Sequence, residues 1–88
     1  MMQLTLNDTA RVREKLAAFK KFLKAYDLQL LDCLENLREG TIELSIRVNF
    51  YQAARLVSDL AYEFFEDELI ASRTDYFTNY IQSMPRAA

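Results

Sequence analysis

Apolar residues recur every three or four positions between Asp8 and Glu39, which is the spacing of one face of an α-helix. The series steps alternately by four and three residues through Val12, Leu16, Phe19, Leu23, Tyr26, Leu30, Cys33 and Leu37. A heptad spacing kept this long is typical of a helix that packs along a seam. The pattern therefore predicts one long helix over residues 8–39. Gly40 follows in the position where glycine usually ends a helix.

Two leucines in the second half of this segment do not fit the seam. Leu28 and Leu31 fall outside the apolar face defined by the first half. Either the second half of the helix is buried on two sides, or the helix kinks near Asp27, which can cap a fresh start. The sequence alone leaves both alternatives open.

A short apolar and polar alternation precedes the long helix. Met2, Leu4 and Leu6 alternate with polar side chains, which predicts a strand-like arm over residues 2–6. The next three residues, Asn7, Asp8 and Thr9, are all good N-cap residues. We therefore expect the helix to begin directly after the arm.

The periodicity changes to two after Gly40. Ile42, Leu44, Ile46, Val48 and Phe50 alternate without a miss against polar positions. Alternation with β-branched residues favours a pleated strand, so we predict a strand over residues 41–48. A helical interpretation of residues 41–50 ranks second.

The remainder of the chain predicts two helices. Apolar positions from Phe50 onward follow helical spacing to about Ala71, which gives a helix over residues 50–71. Ser72, followed three residues later by an acidic side chain, marks another start. A last helix is predicted over residues 73–83, ended by Pro85, with a frayed tail at 84–88.

These elements predict a mostly α-helical α+β domain with a minor β element. It comprises a long N-terminal helix, one central strand and two further helices, in a single domain over residues 1–88. The chain has 88 residues with one glycine and one proline, which agrees with long helices and few tight turns.

Element lengths predict a homodimer. A helix over residues 8–39 would be about 48 Å long, whereas a strand over residues 41–48 spans only about 26 Å. The arm and the strand would scarcely overlap, and unpaired strand edges are costly. We therefore expect two chains to pair with strand 42–48 near the two-fold axis. The predicted dimer interface comprises Ile42, Leu44, Ile46, Val48, Leu30 and Leu37.

Composition argues against catalysis and against a bound cofactor. The chain has no histidine, one cysteine and one glycine, so it offers neither an imidazole metal site nor a glycine-rich phosphate loop. Cys33 lies on the seam, where core packing is a more common role than nucleophilic catalysis. We predict no catalytic residues, no metal site and no cofactor. The unpaired cysteine and the absence of a long apolar run predict a cytoplasmic protein that does not enter a membrane.

Charge is distributed unevenly along the chain. Residues 1–26 carry six Lys or Arg and two Asp or Glu, whereas residues 27–88 carry five and eleven. The first hypothesis is a homodimeric, non-enzymatic protein–protein interaction module, an adaptor or a regulator of another macromolecule. Its predicted partner-binding residues are Glu63, Glu66, Asp67, Tyr76, Phe77 and Tyr80. The alternative is a nucleic-acid-associated regulator that uses the basic face of the first helix, at Arg13, Lys20, Lys21 and Lys24.

Overall fold

The chain forms one antiparallel sheet with two helices packed on one face. In the computed structural model, which describes residues 1–80, the elements are β1 (Met2–Asn7), α1 (Ala10–Ala25), β2 (Gln29–Asn36), β3 (Thr41–Arg47), α2 (Tyr51–Phe64), β4 (Leu69–Thr74) and β5 (Thr78–Tyr80). The strand order is β2-β3-β1-β4-β5. The first six elements thus follow the split βαβ arrangement of ferredoxin-like folds. The predicted mostly helical fold, with a long N-terminal helix and a single strand, is wrong.

The N-terminal segment is the centre of the sheet and not an arm. β1 pairs with β3 on one side and with β4 on the other. Met2, Leu4 and Leu6 are fully buried beneath the helices, while the residues between them face the opposite side of the sheet and are half-buried. The alternation in residues 2–6 therefore correctly indicated an extended segment with one buried face.

Helix α1 is much shorter than predicted. It begins where Thr9 Oγ1 accepts a hydrogen bond from the Val12 amide at 3.2 Å. It ends at Ala25, and Asp27 adopts a left-handed conformation with φ of 58°.

The end of α1 is a Schellman motif. The Asp27 amide donates to the Lys24 carbonyl at 3.0 Å, and the Leu28 amide donates to the Leu23 carbonyl at 2.8 Å. Asp27 occupies the left-handed position that glycine usually takes, so the end of this helix lacks its usual sequence signal. The kink near Asp27 that the sequence left open is thus a complete reversal of the chain.

The helix-like spacing of apolar residues in the sequence continues past Asp27 because β2 contains a bulge. In the β2–β3 register, Leu30 lies opposite Ile46 and Cys33 lies opposite Leu44, with a shift at Leu31 between them. A bulge inserts one extra residue into a strand. The two core-facing positions of β2 are therefore three residues apart, which is also the spacing of a helix face.

β3 is the strand that the alternation predicted, but it lies inside the sheet. Its edges pair with β2 and β1, so it has no free edge at which a second chain could pair. Ile42, Leu44 and Ile46 are at most 1% exposed, and Val48 is also buried. These four predicted interface residues belong to the core of a single chain.

The C-terminal half also contains strands where helices were predicted. α2 ends at Phe64, and the Leu69 amide donates to the Phe65 carbonyl at 2.7 Å as the chain turns into β4. β4 and β5 form a hairpin where a helix over residues 73–83 was predicted. The remainder of that predicted helix and the predicted tail at 84–88 lie outside the described residues.

Candidate functional site

β2 forms one edge of the sheet. It pairs with β3 along one side, and within residues 1–80 no strand lies along its other side. With eight residues it is the longest strand described, and most of its side chains are exposed, unlike those of β3. An edge strand presents unpaired backbone amide and carbonyl groups, which are a template for pairing with another chain.

Exposed leucines lie along this edge. Leu34 is 54% exposed and Leu31 is 40% exposed, while Leu37, the first residue of the β2–β3 turn, is 82% exposed. Leu34 lies opposite Glu43, whose neighbours on β3 point into the core, so Leu34 projects from the sheet face that the helices leave uncovered. Apolar side chains beside unpaired backbone groups are what strand addition uses for recognition.

The helix-covered side of β2 is anchored to the rest of the molecule. Leu30 and Cys33 are half-buried and pack against the core. The Arg13 guanidinium contacts a Glu35 carboxylate oxygen at 3.0 Å and also binds both carboxylate oxygens of Asp8 at 2.8 Å. β2 is therefore a supported strand that presents only its outer edge and one face.

This charge network shifts two pKa values. The hydrogen bonds that Arg13 donates lower the pKa of Asp8, although partial desolvation acts in the opposite direction. The pKa of Arg13 is raised, first by its hydrogen bond to Asp8 and then by that to Glu35. Asp8 and Arg13 are therefore both charged at neutral pH, and the Glu35 carboxylate on β2 has this cation of its own chain beside it.

The open face of the sheet is polar at its centre. β1 and β3 present Gln3, Thr5, Glu43 and Ser45 there, and all four are half-buried. The Arg73 guanidinium donates to Gln3 Oε1 at 3.3 Å near the other side of the sheet. These side chains can form hydrogen bonds, but none offers a ring on which a nucleobase could stack.

The four residues of the predicted nucleic-acid surface lie on one side of α1, within an arc of about 100° around the helix. Arg13 is occupied by two carboxylates. Lys24 is one turn from Lys20 and lies between Lys20 and Lys21 around the helix, so the three lysines share this side of α1. Lys21, at the edge of this arc, also lines a shallow depression of about 290 Å³ with Ala18, Phe22 and Ala25.

The predicted partner-binding residues lie at two ends of the molecule. Glu63 is near the C-terminal end of α2, and Glu66 and Asp67 follow in the turn to β4. Asp67 is 3.6 Å from an Arg11 nitrogen.

The predicted aromatic residues are near the opposite end of α2. The rings of Tyr76 and Phe77 each lie 6.0 Å from the ring of Tyr51, the first residue of that helix. Tyr76 Oη also donates to the Asn49 carbonyl at 3.3 Å. Because α2 is about 21 Å long, the acidic and aromatic groups cannot act as one compact surface. Tyr80 lies on β5.

The sequence analysis missed Leu31 and Leu34 as exposed residues of a strand edge. Leu30 and Leu37 were named as dimer contacts and do belong to this region, Leu30 on β2 and Leu37 at its turn. One local signal for the hairpin was present. Asn36 Oδ1 accepts a hydrogen bond from the Glu39 amide at 3.1 Å, and Gly40 has φ of 66°. An asparagine followed by a glycine in this spacing is typical of a turn.

Neither a metal site nor a similar protein points to another function. Among residues 1–80, no group of three His, Cys, Asp or Glu side chains is arranged to hold a metal ion. In the same range, every helix is too short or too polar to cross a membrane. No protein-family model matches the chain, and comparisons with curated proteins and with solved structures give no match either.

Proposed function

We propose that this chain is a non-enzymatic protein–protein interaction module, an adaptor or a regulator, that binds by strand addition at the β2 edge. The observation that carries the proposal is an eight-residue edge strand that contains the exposed Leu31 and Leu34 and is followed by the exposed Leu37. Because a fold of this type serves many functions, the proposal depends on the edge and not on the topology.

The chemistry of the edge favours an extended protein segment as the bound group. Backbone amides and carbonyls along β2 supply hydrogen bonds to an extended chain once the Cys33 amide exchanges its own bond to Asp32 Oδ1, now 2.8 Å long. Leu34 adds an apolar contact at the middle of the edge. Natural proteins protect long edges with charges and bulges. β2 has a bulge only near its start, at Leu31, so the stretch from Asp32 to Asn36 keeps regular register with β3 and can accept another strand.

The proposal includes a cytoplasmic location. Cys33 is the single cysteine of the chain and therefore has no internal disulfide partner. A half-buried free thiol that packs against the core is stable in a reducing compartment. A chain of this kind meets its partners inside the cell.

Photocrosslinking in the native cell tests the function. A photoreactive amino acid is placed at Leu34, and a matched variant carries it at Tyr62 on α2, which is similarly exposed at 50%. We expect discrete crosslinked protein products from position 34 and not from position 62, because only position 34 lies beside a strand edge.

A second variant links the products to strand addition. Leu31→Lys introduces a charge at the edge, where lysine opposes pairing with another strand. We expect it to reduce crosslinking from position 34. Identical products from positions 34 and 62, or no product at position 34, would contradict the proposed function.

A further inference from the structure

We infer that the strand added to β2 is β2 of a second copy of this chain, with the two-fold axis passing through Leu34. This inference rests on the proposed function, because it names the partner of the same edge. It predicts a continuous sheet across two chains, with both pairs of helices on the same side of that sheet. The bulge at Leu31 marks one limit of the regular edge and the turn after Asn36 marks the other. The stretch between them, residues 32–36, has Leu34 at its centre.

Side-chain complementarity fixes this register on the open face. In an antiparallel pair centred on Leu34, that leucine lies directly opposite Leu34 of the second copy. Asp32 then faces Asn36 of the second copy, and just beyond the regular stretch the bulge residue Leu31 comes near the turn residue Leu37 of the second copy. Each apolar side chain meets an apolar one, and each carboxylate on this face meets an amide that can donate a hydrogen bond to it.

The helix-covered face is compatible with the same register. There Glu35 lies opposite Cys33 of the second copy, and its carboxylate remains 3.0 Å from Arg13 of its own chain. The negative charge of Glu35, which lies near the two-fold axis, is thus already balanced by Arg13 in each separate chain. Like charges directly opposite each other would destabilise a strand pair, and this register has none.

The neighbouring registers are worse for definite reasons. An axis at Asp32 or at Glu35 sets two identical carboxylates against each other. An axis at Cys33 sets Asp32 against Leu34, and so places a charged group against an apolar one. An axis at Asn36 sets Glu35 against Leu37, which is the same kind of mismatch. Among axes within the regular part of β2, Leu34 therefore gives the best match.

Disulfide trapping distinguishes these registers. With the axis at Leu34, the two Cys33 residues are offset along the strands and their Cα atoms are about 8 Å apart, beyond the limit of about 7 Å for a disulfide. Residues at position 34 face each other directly. The chain with Cys33→Ser and Leu34→Cys should therefore oxidise to a covalent dimer under native conditions, while the wild-type chain should not. A third variant, Cys33→Ser with Tyr62→Cys, controls for random collision of exposed thiols.

Light scattering across a wide range of concentrations measures the mass of the same proteins. We expect a dimer for the wild type and a halved mass for Leu34→Lys, which places two ammonium groups at the axis. Tyr62→Lys should keep the dimer mass. A circular dichroism spectrum like that of the wild type would show that a monomeric Leu34→Lys variant remains folded.

The outcomes separate the inference from the proposed function. Crosslinking at position 34 together with a dimer mass supports the inference. Rapid crosslinking through Cys33 overturns the register, and a monomer at all concentrations overturns the second copy as the partner. If the wild type is monomeric but position 34 still crosslinks to a different protein in the cell, the inference fails while strand addition stands. If position 34 crosslinks to nothing, the proposed function fails as well.

Discussion

β2 and β3 are neighbours in one hairpin but differ in what surrounds them. β3 is paired along both edges, and its side chains alternate between the core and the open face. β2 is paired along one edge, contains a bulge and leaves most of its side chains exposed. A central strand is specified by the core of its own chain. The edge strand keeps apolar side chains such as Leu34 that the core does not use, and this exposed apolar surface is the basis of the proposed interface.

The largest expected difference concerns truncation of a leucine on each strand. Leu44 on β3 is fully buried, so Leu44→Ala should lower the free energy of unfolding by about 2–5 kcal/mol through lost burial and a residual cavity. Leu34 on β2 is 54% exposed, so Leu34→Ala should change the stability of the monomer by less than about 0.5 kcal/mol.

Urea denaturation of dilute protein measures both variants without a contribution from association. Light scattering at high concentration then measures the loss of dimer for Leu34→Ala. If the two variants lowered the stability of dilute protein by similar amounts, Leu34 would belong to the core as Leu44 does, and the difference between the two strands would be contradicted.

The same two strands show how far the sequence predicts this fold. Alternation correctly indicated β1 and β3, because both are regular strands with one buried face. β2 and β4 were both predicted as helical segments. Each contains a bulge, β2 in its pairing with β3 and β4 in its pairing with β1. In the β1–β4 pair, Leu6 of β1 lies opposite Leu69 and Leu4 of β1 lies opposite Ser72. The core-facing positions of β4 are therefore again three residues apart. A bulged strand therefore imitates the first step of a helical pattern, and only the pairing partner reveals the difference.

The candidate site could be predicted only in part for a related reason. Leu30 and Leu37 were associated with an interface because the apolar seam exceeded what one chain could cover. Leu31 and Leu34 were missed because exposure at an edge depends on the strand order, which local periodicity does not determine. The lysines of α1 could be placed on a helix, but the occupation of Arg13 by Asp8 and Glu35 could not be predicted, because Glu35 was assigned to the same helix.

Substitutions at the two left-handed positions that flank β2 test how its ends are fixed. Gly40, with φ of 66°, joins β2 to β3, and no atom lies within 4 Å of the position that a Cβ would take. Gly40→Ala should therefore destabilise the chain by about 1 kcal/mol through backbone strain alone. Asp27→Gly, before β2, removes a side chain from a residue with φ of 58° and should stabilise by up to about 1 kcal/mol. Thermal and urea unfolding measure both effects. Two effects of the same sign would show that these turns are not governed by backbone conformation.

The smallest expected effect concerns pH and the support of β2. Because the pKa of Asp8 is lowered in the folded chain, its ion pair stabilises the protein fully above the ordinary pKa of aspartate, near 3.9. That stabilisation is lost as the pH falls through the lower pKa of the folded state. Asp8→Asn should therefore flatten the dependence of stability on pH in the acid range and leave it unchanged near neutral pH. Arg13 also holds Glu35, so the variant should speed amide hydrogen exchange in β2 more than in β3. Equal acceleration in both strands would mean that the ion pair supports the whole sheet and not its edge.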